Sequence, residues 1–320
     1  LTTTIEQPLT FEDVQQNKEL LKDFVAQMPI DELAQLVRGE MIRKAAGCFG
    51  GLSKSLKEKK VPRVICADGP NGIHMNGPPT VQIPIATSIA ASFNKDAAME
   101  AYRMIGKEMR RNDIHLLLAP GVNIHRSLLN GRNFEYFSED PYLTGVMATY
   151  TSKGLRGCGV ASTVKHFALN SQETERRSVN SVCSERAIRE IYIKAFEMSV
   201  KSGYVISIMT SYNPINGHWA ASNYDLNTTI LRGEWNYQGF VMTDWQAVMN
   251  DVVEGGGSSQ SFTRDMIRAQ NDIYMVLNQG GAFGNYNCDD TEDSIEEGRL
   301  TLAELQRCVM NLLTYLLNEV

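Results

Sequence analysis

What this sequence does not contain narrows its chemistry before any motif is sought. No stretch approaches the roughly 20 consecutive apolar residues that span a bilayer, and residues 1–30 lack the charged-then-apolar layout of a secretory leader, so a soluble chain without membrane contact is expected. Basic residues are not in excess: 31 Lys and Arg stand against 37 Asp and Glu, a formal charge of -6, which leaves no basic footprint for nucleic acid. Partners are therefore expected to be small and neutral. Histidine is scarce, and the five, at 74, 115, 125, 166 and 218, show no HxH or HExxH spacing, so neither a metal nor a cofactor is expected. The six cysteines, at 48, 66, 158, 183, 288 and 308, form no CxxC pair, a pattern of reduced thiols in a cytoplasmic protein rather than a disulfide framework. Neither GxGxxG nor GxxxxGK[ST] follows an apolar run, which argues against nucleotide binding, and there is no internal repeat.

What is present is enough apolar material, 43% of residues, for one large α/β domain with a sizeable core. Residues 1–40 read as two amphipathic helices, Phe11 to Gln27 and Asp31 to Arg38, separated at Pro29, whose ring cannot continue a helix interior. Seven apolar runs follow: Arg63 to Ala67, Ala86 to Phe93, His115 to Ala119, Val160 to Ala168, Tyr204 to Ser211, Phe240 to Thr243 and Ile273 to Val276. Between them lie helical patterns such as Lys95 to Arg111 and Ser184 to Lys201. Buried strands alternating with helices predict a parallel sheet, and seven strands in βα rhythm favour an eight-stranded (β/α)8 TIM-type barrel with irregular first strands over an open sheet. Glu254 to Gln260, rich in Gly and Ser, reads as a mobile loop. Two helices close the chain within residues 290–320, Asp290 to Gly298 and Thr301 to Asn318, the second opened by a Thr301/Glu304 capping box.

In a parallel barrel the chemistry collects at the carboxyl ends of the strands. Asp68 follows Val64-Ile65-Cys66-Ala67; Lys165 and His166 follow Ala161 to Val164; Tyr212 and Asn213 follow Ile206 to Ser211; Asp244 and Trp245 follow Phe240 to Thr243. Asp244 has two readings, a structural carboxylate capping the next helix or a reactive one, and Trp245 beside it favours the second by offering a flat surface for the apolar face of a sugar. Lys165 and His166, being adjacent, would point to opposite faces of a strand, although at its end both can turn into one pocket. A strand-end lysine also raises Schiff-base chemistry, but a neighbouring imidazole able to carry charge and nearby arginines suit donors to sugar hydroxyls at least as well.

The segments that carry this chemistry resemble glycoside hydrolase family 3, the β-glucosidase group. They are Ala67-Asp68-Gly69-Pro70; Gly131-Arg132-Asn133-Phe134-Glu135-Tyr136-Phe137-Ser138-Glu139-Asp140-Pro141; Val164-Lys165-His166-Phe167-Ala168-Leu169-Asn170 continuing through Gln172-Glu173 to Arg176; Met209-Thr210-Ser211-Tyr212-Asn213; and Gly239-Phe240-Val241-Met242-Thr243-Asp244-Trp245. The resemblance implies a retaining β-glycosidase that releases terminal glucose from β-glucosides, with Asp244 as the nucleophile that forms a covalent glycosyl-enzyme. By the same carry-over Asp68, Arg132, Lys165, His166 and Arg176 would bond the sugar hydroxyls, Tyr212 would stand beside the nucleophile, Trp245 would lie along the ring, and nearby cations would keep Asp244 ionised. Two positions depart from the pattern: His74 stands where many members have arginine, and Gln246 where a glycine is common after Asp-Trp. The Lys-His-Phe-Pro-Gly-His-Gly loop of the N-acetylglucosaminidase branch is not matched.

A retaining glycosidase also needs an acid/base carboxyl about 5–5.5 Å from the nucleophile, and no residue in 1–320 is assignable to it. The resemblance implies that it comes from a companion α/β sandwich domain, on a partner chain or an upstream segment, as in members whose domains are circularly reordered. Residues 1–320 would then be a single catalytic barrel domain, and a homo-oligomer stays open. Two alternatives remain: a carbohydrate-binding barrel without turnover, and a Schiff-base lyase acting through Lys165.

Overall fold

The computed structural model describes residues 1–251, 255 and 257–320. Eight strands form one sheet: β1 (Arg38–Glu40), β2 (Gly47–Gly50), β3 (Arg63–Asp68), β4 (Leu116–Leu118), β5 (Ala161–Phe167), β6 (Ser207–Thr210), β7 (Phe240–Met242) and β8 (Tyr274–Leu277). Their order is β8-β1-β2-β3-β4-β5-β6-β7, and a parallel bridge between Met242 and Ile273 brings the two edges together. The expected barrel is therefore present, but the sheet is not wholly parallel. β2 runs antiparallel to both β1 and β3, because only residues 41–46 separate it from β1, and a parallel return needs a crossover of about a dozen residues or more.

Six of the seven apolar runs are barrel strands. The exception is Ala86 to Phe93, expected as a strand, which contains a helix, Ala86–Ala91. Three alanines favour the helix, and its buried residues, Ala86, Ile89 and Ala90, lie three and four apart, on one helical face. The two strands that complete the barrel, β1 and β2, have no apolar run to announce them; Arg38 opens β1 rather than ending a helix.

The other helices follow their patterns with interruptions. Phe11 to Gln27 divides into Phe11–Gln16 and Leu21–Ala26 around Asn17, whose side chain accepts from the Glu19 amide; Ser184 to Lys201 is interrupted by a π turn at Ile188–Tyr192. Lys95–Arg111 is continuous and packs against Pro141–Arg156. The two approach so closely that a Cβ on Gly154 would stand 2.4 Å from the Met99 carbonyl oxygen. Leu302–Glu319 starts with the expected Thr301/Glu304 capping box. Within the span read as a loop, Ser258–Ser259 pairs with Met249–Asn250, while Glu254 and Gly256 lie outside the described residues. Among the described residues no helix is long and apolar enough to cross a membrane, and the six cysteines are unpaired.

Alternation along the strands divides the core. Val64 and Cys66 of β3, Leu116 and Leu118 of β4, Met209 of β6, and Phe240 and Met242 of β7 belong to one cluster. Ile65, Ala67, Leu117, Ile208 and Val241 belong to the other, packed with Tyr102, Ile105 and Met109 of the outer helix Lys95–Arg111. The first set faces inward: Phe49 of β2 and Phe240 of β7, on strands that are not neighbours, meet at a centroid distance of 5.6 Å, and the ring of Tyr315 of the last helix packs tilted against Phe240 at 4.7 Å.

Candidate active site

Successive side chains on a strand alternate faces, so carrying each inward row one step further along its strand finds the next residue of the same parity. That step gives Asp68 after Cys66, Lys165 after Ala161 and Thr163, and Asp244 after Phe240 and Met242. All three line a cavity of about 240 Å³ with Leu118 and Met209 of the same rows, together with Ala46, Arg132, His166, Arg176, Tyr212 and Trp245. The structure thus brings together all eight residues expected at the site. His74 is not among the cavity residues; its amide donates to the Asp68 carbonyl at 2.8 Å.

His166 has the wrong parity for this face, and a local irregularity turns it inward. Lys165 pairs with Met209 and Phe167 with Thr210, so two steps on β5 oppose one on β6. His166 is the extra residue of this bulge, a device that re-aims a side chain. Its backbone is pinned there: its N–H donates to the Asn123 side-chain oxygen at 2.9 Å, and its carbonyl accepts from the Asn123 amide at 2.9 Å.

Lys165 Nζ donates to Asp68 Oδ1 at 2.6 Å. What burial Asp68 has works against its charge, but Lys165, helped by His74 and Arg132, holds the carboxyl below its ordinary range. Arg132 is bound to the buried Glu135, and Arg176 NH1 donates to Glu173 at 3.0 Å. Arg176 and Arg177 lie over the Tyr212 ring, 5.1 and 4.7 Å from its centroid. The Tyr212 hydroxyl donates to the Trp245 carbonyl at 2.6 Å; burial, then the charge of Asp244, push its phenol up. Trp245 is held at both ends, its amide donating to Asp244 Oδ1 at 3.0 Å and its indole N–H to the Ala46 carbonyl at 3.2 Å. The short antiparallel return between β1 and β2 thereby supplies one wall.

Asp244 is 9% exposed. Burial raises its carboxyl to about 6, despite Arg132, Lys165, the neighbouring Tyr212 hydroxyl and Arg176, all of which favour the charged form. The three cations favour the charged form, but they only limit a shift that desolvation dominates. His166, nearly fully buried, is held well below its ordinary range, first by burial and then by Arg132, Lys165 and Arg176. It is therefore a neutral imidazole and not the cation considered from sequence; its Nε2 lies 3.7 Å from Asp244 Oδ2.

Several residues of this arrangement carried no role in the sequence reading: Asn123, Tyr136, Asn170 and Arg177. Tyr136 and Asn170 sit inside the matched segments, but nothing local says that Tyr136 meets His166 or that Asn170 meets Tyr136. Among the described residues lining the cavity only Asp68 and Asp244 are carboxylic, and Asp68, bound to Lys165, is in the wrong state for a proton donor.

The class the fold and site define is a β/α barrel whose strand-end pocket holds a buried carboxyl among three cations, a neutral imidazole and an indole. The chain belongs to glycosyl hydrolase family 3: the model of the family's N terminal domain matches residues 15–315. It is 45% identical to a β-glucosidase of Ruminococcus albus over 98% of its length and 33% of the relative's. To β-glucosidase B of Emericella nidulans it is 42% identical over 76% of its length and 28% of the relative's. Among solved structures, a β-glucosidase from Paenibacillus barengoltzii superposes with a TM-score of 0.96 at 53% identity, covering 99% of this chain and 35% of that one. β-Glucosidase 3B from Thermotoga neapolitana in complex with glucose superposes with a TM-score of 0.82 at 33% identity, covering 93% and 42%. The chain spans about a third of the length of the first of these curated relatives.

Proposed function

We propose that this chain is the nucleophile-bearing barrel of a retaining β-glucosidase, acting on terminal non-reducing β-D-glucosyl residues. The observation that carries the proposal is Asp244: a buried carboxyl lining the strand-end cavity, poised near 6 and within the influence of three cationic side chains. The cavity, about 240 Å³, is smaller than the roughly 300–1,000 Å³ typical of drug-sized ligands and suits one sugar ring. The names of the relatives and the glucose bound to one of them support glucose as its occupant.

In this reading Asp68, Arg132, Lys165, His166 and Arg176 bond the hydroxyls and Trp245 lies along the ring. Asp244 attacks the anomeric carbon as the aglycone leaves; water then hydrolyses the glycosyl-enzyme, and two inversions give retention. Ionised Asp244 is the reactive form, and hydroxyls replacing lost water around the cations return polar partners to the site. The acid/base is proposed to reach the cavity from a companion α/β sandwich domain, since Glu135 and Glu173, the glutamates bonded to site arginines, are not among the residues lining it. The unpaired cysteines suit a reducing, cytoplasmic setting.

The two other readings explain less. A Schiff-base lyase needs a lysine lone pair, whereas Lys165 donates to a carboxylate at 2.6 Å. A barrel that only binds sugar has no use for a buried carboxyl whose desolvation disfavours its charge.

The test is covalent trapping with a 2-deoxy-2-fluoro-β-glucoside bearing a dinitrophenyl leaving group, which departs without protonation and so needs only the nucleophile. Peptide mass spectrometry should place the adduct on Asp244, with a trapping rate that rises with pH and reaches half its maximum near pH 6. An adduct on another residue would refute the assignment.

A further inference from the structure

The side chain of His166 is held as specifically as its backbone. The Tyr136 hydroxyl lies 3.0 Å from His166 Nδ1, and Asn170 Nδ2 donates to that same hydroxyl at 3.0 Å while also donating to Glu173 Oε1 at 3.1 Å. Tyr136 and His166 are both essentially without solvent exposure, so each polar atom in the chain must find its partner inside the protein. The tyrosine ring is itself seated by close packing: a Cβ on Gly121 would stand 2.7 Å from Tyr136 Cδ1.

The direction of each bond follows from counting protons. Asn170 can only donate through Nδ2, so the Tyr136 oxygen accepts there and its single proton is left to be donated. The nearest acceptor for that proton is Nδ1 of the neutral imidazole. The ring proton is then on Nε2, 3.7 Å from Asp244 Oδ2. The opposite tautomer would set a lone pair against that carboxylate and leave the tyrosine proton unbonded.

We propose that Tyr136 is a positioning residue of this site: its hydroxyl, oriented by Asn170, donates to His166 Nδ1 and fixes the tautomer that presents Nε2–H to the cavity beside Asp244. The cavity thereby offers a neutral hydrogen-bond donor next to its cations, which selects for an acceptor oxygen, such as a sugar hydroxyl, at that position. The role in sugar recognition rests on the reading given above; the tautomer itself does not. Burial keeps the Tyr136 phenol protonated, as a donor must be.

The experiment uses protein labelled with ¹⁵N-histidine and long-range ¹H–¹⁵N correlation at pH 7.5, with the His166 ring assigned by its loss in His166→Ala. The native protein should show a protonated Nε2 and an unprotonated Nδ1. Tyr136→Phe should shift the tautomer ratio toward Nδ1–H by roughly tenfold, the size expected for one lost buried hydrogen bond, and weaken glucose binding in titration. A merely structural tyrosine would lower thermal stability without moving the ratio. Should Tyr136→Phe not fold, Asn170→Ala reads the same quantity, because a hydroxyl relieved of its donor becomes free to accept from Nδ1–H. A native ring protonated on Nδ1, or a folded variant whose tautomer ratio is unchanged, overturns the proposal. Failure of the fluoroglucoside to label Asp244 would overturn the glucosidase reading and leave the tautomer result intact.

Discussion

Replacing Asp244 by asparagine should make the protein more stable, by an amount that depends on pH. The Asp244 carboxyl is raised from 3.8 to about 6, mainly by burial. Each pK unit is about 1.4 kcal/mol, so above pH 6 the ionised group costs the native state about 3 kcal/mol, or nearer 2 once its 12% side-chain exposure is allowed for. The sign follows from linkage: with the folded value raised, the destabilisation is fully present above about 6 and vanishes below the unfolded value of 3.8. Asparagine fills the same space without the charge. With an unfolding entropy of roughly 2.1 cal/mol/K per residue, the advantage over 320 residues corresponds to roughly 3–4 °C in Tm. Differential scanning calorimetry of Asp244→Asn and the native chain between pH 4 and 8 measures it. The gap should be widest at pH 7–8 and close toward pH 4. Equal melting temperatures at pH 8, or a gap that persists unchanged at pH 4, would refute the claim that desolvation outweighs the surrounding cations.

Two further predictions concern the frame around the site. Asp272, fully buried, accepts from the Val241 amide at 2.8 Å, from Arg232 at 2.5 Å and from Asn311 at 2.9 Å, tying β7 to the last helix. Asp272→Ala strands the Arg232 charge and should cost about 3–5 kcal/mol in urea unfolding; a loss below about 1 kcal/mol would mean that water takes over the pairing. Gln246 has φ +60°, in the left-handed region where a side chain costs about 1–2 kcal/mol, while its amide donates to the Met275 carbonyl at 2.6 Å. Gln246→Gly should therefore raise stability by up to about 1 kcal/mol after the extra backbone entropy of glycine. A decrease would show that the Gln246 side chain makes contacts worth more than the strain.

The Gln246 geometry also explains a feature met first in the sequence, a glutamine after Asp-Trp where a glycine is common: the turn that follows Asp244 requires positive φ. Other elements were legible to different degrees. Six strands were readable because each is a run of buried residues bounded by polar ones. β1 and β2 were not, because Arg38-Gly39-Glu40 and Gly47-Cys48-Phe49-Gly50 have neither apolar length nor β-branched residues; the neighbouring strands recruit them. The Ala86 run was misread because period alone does not separate a short buried helix from a strand, and its alanines were the better guide. At the site, Asp68, Lys165 and Asp244 follow from strand-end position and parity. Tyr212 and Trp245 were singled out by strand-end position as well, whereas Arg132 and Arg176 came through the family resemblance, not through any local rule.

The sequence by itself determined that buried strands alternate with helices, and which polar residues stand at the strand ends, because both are consequences of local order and of a side-chain period of two. It could not determine how those residues affect one another. The bulge that turns His166 inward exists only where β5 meets β6; the balance that raises Asp244 to about 6 depends on how completely the closed barrel removes water from it. The Asn170–Tyr136–His166 chain joins residues up to 34 positions apart. Desolvation and hydrogen-bond direction are properties of the space that the folded chain encloses, and so only the tertiary structure decided them.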